Sequence, residues 1–133
     1  MKGIIKEYLH ETKTLISWLE EQWTLLEELG NQCINVIQRG GTLYFCGNGG
    51  SAAQANHIVT ELVGRFEKER RGFRAHSLST NLSLVTALSN DYSFYEVFAR
   101  QVETLMETKD LLVVISTSGR SSNILKAAQT ASQ

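Results

Sequence analysis

Twice in this chain a short β-prone run ends in a loop of glycine or hydroxyl residues that opens directly into a helical stretch. The first run, 42–46, leads through Gly47-Asn48-Gly49-Gly50-Ser51 into a helical segment at 52–66. The second, 111–115 (Leu-Leu-Val-Val-Ile), leads through Ser116-Thr117-Ser118-Gly119-Arg120-Ser121 into a helical segment at 122–131. Between them lie a charged loop at 67–72, a short strand around 74–78, a small helix at 82–88, a polar turn at Ser89-Asn90-Asp91 and a helix over 94–106. Strands alternating with helices dictate an α/β fold with a parallel sheet and right-handed crossovers, doubly wound with helices on both faces. Run 111–115 is apolar throughout, as expected of a strand covered on both sides.

The first forty residues read as helix. Apolar positions from Ile5 to Ile37 recur at three- and four-residue steps, with Lys, Glu and Gln between them. The stripe exceeds one average helix, which predicts a break near residues 20–24 and an N-terminal helical hairpin. Gly40 and Gly41 stop the second helix. The chain therefore divides into helices over 1–40, serving oligomerisation and packing, and an α/β domain over 41–133. The apolar surface on these helices, Trp18 and Trp23 included, fits an oligomer interface or packing on the domain's own core.

Composition removes several classes. With 133 residues, 42% apolar and a net charge of −1, the chain has the length and apolar content of one folded domain, and disorder is excluded. The near-neutral balance argues against nucleic acid or an anionic membrane held by bulk charge. No apolar run approaches the roughly 20 residues that cross a bilayer. Cys33 and Cys46 form no C-x-x-C pair and are too few for a disulfide framework, so a cytoplasmic location is expected. Three strands make a small sheet whose most apolar member comes last, which reads as the amino-terminal piece of a longer domain.

In open α/β sheets ligands bind at the carboxyl ends of the strands. Loop 47–51 lets backbone approach a ligand closely and opens a helix start, where an anion is favoured. It matches neither the dinucleotide fingerprint nor the P-loop, and a simple turn remains an alternative. Loop 116–121 carries Ser116, Thr117, Ser118 and Ser121, four hydroxyls in six positions. N-capping accounts for one or two of them; a phosphate cradle accounts for all four. His57 and Glu61 sit four apart and share one flank of the helix after the glycine loop. Such a pair binds a divalent metal, moves protons, or forms a solvated face, and Glu61 also has Arg65 four residues on.

The segments 45–53, His57 and 61–66, then Ser89-Asn90-Asp91-Tyr92, 97–103 and 115–121, resemble the phosphoheptose isomerases of the sugar isomerase (SIS) superfamily in order and spacing. The resemblance runs over essentially the whole chain, most closely from Gly41 onward. It implies a SIS-type sheet and an aldose–ketose isomerase converting sedoheptulose 7-phosphate to D-glycero-D-manno-heptose 7-phosphate, for heptose precursors of surface glycans. It implies that Asn48, Gly49, Gly50 and Ser51 contact the sugar phosphate. Ser116, Thr117, Ser118 and Ser121 would hold the phosphate, and Asn90 and Asp91 the sugar hydroxyls. His57 and Glu61 would be zinc ligands, Glu61 also serving as substrate contact and catalytic acid/base, in a homotetramer. The family completes its site with a glutamine and a histidine on a carboxyl-terminal helix, which this chain does not reach. A second reading within the superfamily is a non-enzymatic protein that binds the bacterial replication initiator, or another SIS sugar-phosphate binder. The acidic residue at Glu61 and the intact Ser-Thr-Ser-Gly favour the isomerase.

Overall fold

The computed structural model describes residues 1–133, which form two compact units, Met1–Ile34 and Asn35–Gln133. In the first unit α1 (Lys2–Glu21) and the start of α2 (Trp23–Gln38) are separated by Gln22 alone. The break falls inside the expected window. A single residue at φ −95° and ψ 16° cannot reverse the chain, so the expected hairpin is instead two helices in succession. No residue of α1 is buried, and Ile5, Leu9, Trp18 and Trp23 all stand exposed.

The second unit begins where burial begins, at Val36 in the last turn of α2. Gly41 N–H donates to Val36 O and Gly40 N–H to Ile37 O, the paired bonds that close a helix at a glycine. There follow β1 (Leu43–Gly47), α3 (Gly50–Val63), β2 (Ala75–Ser77), α4 (Leu82–Asp91), α5 (Ala99–Leu105), β3 (Leu111–Ile115) and α6 (Ser122–Ala131). All strands are parallel in the order β2-β1-β3, with Phe45 opposite both Ser77 and Val113. Successive side chains of β1 face opposite ways. Tyr44 and Cys46 join Leu78, Leu88, Val97, Phe98, Val102 and Ile124 in a core built with α4, α5 and α6. Leu43, Phe45 and Ala55 are buried outside that cluster, on the side of the sheet that α3 covers. Helices therefore lie on both faces, as expected of a doubly wound sheet.

Three local expectations shift. Residues 89–91 are not a turn but the last turn of α4, a helix whose start is secured by Asn81, its side chain accepting from Leu84 N–H at 3.1 Å. The helix expected from residue 94 starts at Ala99. β3 is an edge strand with Val114 exposed, so β1, not β3, is the covered strand. No helix is long and apolar enough to cross a membrane.

Cys46 is wholly buried beside the core helices, and the loss of solvation pushes its thiol up to about 12 from an ordinary value of 9. Above pH 9 the unfolded chain releases this proton and the folded chain keeps it. Stability from Cys46 is thus fully present below pH 9 and falls as pH rises towards 12, by about 1.4 kcal/mol per unit. In urea unfolding from pH 8 to pH 10, the wild type should lose about 1.4 kcal/mol more than Cys46→Ala. Equal losses would mean that the folded thiol ionises freely.

Candidate active site

The sheet order places a topological switch at β1: the chain passes from β1 to β2 on one side and returns to β3 on the other. In such sheets the crevice beyond the carboxyl ends of the two diverging strands is where ligands bind. The glycine loop leaves Gly47 at that point and the hydroxyl loop leaves Ile115, its neighbour in the β1–β3 register. The two loops are brought together there. Asn48 and Ser51 from one, and Ser116, Thr117, Ser118 and Ser121 from the other, line a cavity of about 170 Å³ with Ile115.

The helix starts beside this cavity lack side-chain caps. Gly49 stands at the N-cap of α3 and Ser121 at that of α6, and neither residue makes a capping hydrogen bond from its side chain. Ser121 thus occupies the N-cap position without a side-chain cap bond and lines the cavity. Ser116 Oγ accepts from Gly119 N–H and Ser118 Oγ from Arg120 N–H, both at 3.2 Å, which folds the hydroxyl loop into a tight curl. Gly49 at φ 54° and Gly119 at φ 62° take a left-handed backbone that a side chain would oppose. No charged side chain lines the cavity. Its recognition chemistry is hydroxyls, an amide and two helix dipoles, a combination that suits a phosphate without a lysine.

Further along α3, His57 lines a second hollow with Ala53, Gln54, Ile58 and Ile115. Ile115 belongs to both hollows, so His57 stands next to the hydroxyl cavity. His57 Nε2 lies 3.7 Å from Glu61 Oε1, both on the solvent side of α3. Arg65 pairs with Glu69 at 3.5 Å rather than with Glu61, which leaves the carboxylate for other partners. The backbone under Glu61 is held: Arg70 donates to the carbonyls of Glu61 at 2.8 Å and Leu62 at 3.0 Å while its guanidinium stacks 4.0 Å over Phe73. His57 and Glu61 form no cluster with a third His, Cys, Asp or Glu. An imidazole and a carboxylate at this spacing fit two positions of a zinc tetrahedron, and a zinc site takes three or four protein ligands.

Asn90 and Asp91 line neither hollow; they lie exposed at the end of α4, with Asn90 Nδ2 donating to Asp91 Oδ1 at 2.9 Å. One residue that the sequence pattern does not single out takes part. Asn123, buried at the second position of α6, is bonded to Asn48 across the cavity's two loops. A polar residue in a helix's first turn is too ordinary a pattern to signal it.

Comparison with known proteins agrees with this geometry. A family profile for the SIS domain matches residues 7–133. The chain is 46% identical over 128 residues to a phosphoheptose isomerase of Helicobacter pylori (strain P12), covering 96% of this chain and 67% of that protein. It is 47% identical over 131 residues to one from a Nitratiruptor species, covering 98% and 70%. Among solved structures, a phosphoheptose isomerase from Neisseria gonorrhoeae superposes with a TM-score of 0.79 at 34% identity, over 96% of this chain and 67% of that one. With a domain profile over nearly its whole length and relatives this similar, the chain belongs to the SIS-domain family and, within it, to the phosphoheptose isomerases.

Proposed function

We propose that this protein interconverts sedoheptulose 7-phosphate and D-glycero-D-manno-heptose 7-phosphate, an isomerisation that moves one proton between C1 and C2 through an enediol. The observation that carries this reading is the hydroxyl-lined cavity at the β1–β3 switch point with His57 beside it. Asn48, Gly49, Gly50 and Ser51 would hold the sugar phosphate from the α3 side. Ser116, Thr117, Ser118 and Ser121 would hold the phosphate from the α6 side. Anchoring that end sets the carbonyl end of the sugar towards α3, where the Glu61 carboxylate is one acid/base group of the proton transfer. One C–H and one O–H bond break and one of each forms while the C=O double bond passes between C2 and C1, so the step is redox-neutral overall and needs no co-reactant. His57 and Glu61 would hold a zinc ion as two of its ligands, its other donors coming from elsewhere, and such an ion would supply Lewis-acid polarisation of a sugar oxygen. Asn90 and Asp91 are assigned to the sugar hydroxyls on family resemblance alone. The exposed apolar face of α1 and α2 supports self-association, and the family resemblance suggests a homotetramer in the cytoplasm.

The test is calorimetric titration of sedoheptulose 7-phosphate into the full-length protein and its Ser116→Ala, Ser118→Ala double variant. Hydrogen bonds to a charged phosphate contribute about 1.5–3 kcal/mol each. Losing two should raise Kd at least about tenfold. Unchanged affinity would remove the phosphate from this loop.

A further inference from the structure

Asn48 and Asn123 lie 75 residues apart in the chain and bond reciprocally. Asn48 Nδ2 donates to Asn123 Oδ1 at 2.9 Å, and Asn123 Nδ2 donates to Asn48 Oδ1 at 2.9 Å. Asn123 Oδ1 also accepts from Ile124 N–H at 3.0 Å. That third bond breaks the symmetry of the pair. A backbone N–H can donate only to the amide's oxygen, so Ile124 fixes which way the Asn123 amide is turned. Asn123 in turn fixes Asn48, whose oxygen and one N–H are committed and whose second N–H stays uncommitted by any other protein bond. Asn123 is only 3% exposed, so the pair is shielded from the water that would compete with it.

The pair spans the two loops at the place where they enclose the cavity. Asn48 lines the cavity directly, whereas Asn123 does not. From this geometry we infer that Asn123 is a positioning residue: its amide straps the glycine loop to the start of α6, sets the width of the hydroxyl cavity and orients Asn48 towards the bound phosphate. The inference rests on the reading of that cavity as the phosphate site. It also bears on specificity, because a strap between the loops limits the cavity to a group small enough to be ringed by both helix starts.

The experiment is a double-mutant cycle in the full-length protein with sedoheptulose 7-phosphate as probe, using Asn48→Ala, Asn123→Ala and both together, with the Ser116→Ala, Ser118→Ala variant alongside. Kd, KM and kcat are read for each. Asn123→Ala should raise Kd and KM about tenfold while kcat of the saturated enzyme stays within about threefold. Asn48→Ala should raise Kd and KM at least as much, because it removes the cavity-lining amide as well as the strap, and the double variant should be no more than about twofold worse than Asn48→Ala, because the strap is already cut. Asn123→Ser, small and polar, serves as the second variant if the alanine does not fold, and the same rise in KM is expected of it. A lower melting temperature with unchanged Kd and KM would make Asn123 merely structural and overturn the proposal. Multiplying single effects would overturn it too. Loss of affinity in the Ser116→Ala, Ser118→Ala variant alone would discard the strap and leave the phosphate site standing; no loss in any variant would discard both.

Discussion

Glu61→Gln should leave a folded protein that turns over about 10²- to 10⁴-fold more slowly, the loss typical of removing a positioned general acid/base. Glutamine matches the volume and helix propensity of glutamate, and the local contact it alters, with His57 at 3.7 Å along one helix flank, is of the i,i+4 kind that contributes about 0.3–0.5 kcal/mol at most. The Arg70 bond under this residue goes to the backbone carbonyl of Glu61 and survives the substitution. The melting temperature should therefore stay within a few degrees while kcat collapses. The measurement is steady-state kinetics on sedoheptulose 7-phosphate together with a thermal melt. Near-normal turnover would return the His57–Glu61 pair to the solvated helix face that its spacing alone also allowed.

Gly47→Ala should damage both the stability of the domain and the shape of the hydroxyl cavity. Gly47 ends β1 where α3 turns back across it, and a Cβ there would come within 2.7–2.8 Å of the backbone and Cβ of Ser51. Backbone cannot swing aside as a side-chain tip can, so the first turn of α3 must move. Overpacking of this kind costs about 1–3 kcal/mol. Because Ser51 lines the hydroxyl cavity, the same displacement should also weaken phosphate binding. Gly30 provides the control: it lies inside α2 with nothing within 4 Å of an added methyl, and Gly30→Ala should raise stability by about 0.5–1 kcal/mol. Thermal melts of the two variants should move in opposite directions. A Gly47→Ala protein as stable as wild type would mean that the strand-to-helix turn has slack, and the close approach of β1 and α3 would lose its role in shaping the site.

The elements nearest the cavity are the most legible in the sequence. β3 and α6 begin and end where the apolar run and the hydroxyl loop place them, and β1 is displaced by one residue. These boundaries are set locally, by an aromatic-containing run in β1 and a β-branched run in β3, each ending at a glycine- or serine-bearing loop. The segment over 89–106 is poorly legible for the opposite reason. Asn90 and Asp91 look like turn residues, yet a helix already started by the Asn81 cap runs through them. Residues Phe94 to Phe98 look helical by their apolar spacing, yet Val97 and Phe98 are buried in the core ahead of α5.

Local sequence was enough to establish the alternating strand–loop–helix order, the glycine-rich and hydroxyl-rich loops, the helix flank shared by His57 and Glu61, and the family they resemble. The loops and the shared flank depend on residues within a few positions of one another, and the resemblance on the order of such motifs along the chain. Tertiary structure alone decided the order β2-β1-β3, and with it the meeting of loops whose strands are separated by more than sixty residues. It also decided that Arg65 turns to Glu69 and that Asn123 reaches Asn48. Those outcomes follow from where the packed sheet and helices bring distant backbone together, and no spacing along the chain encodes a distance in space.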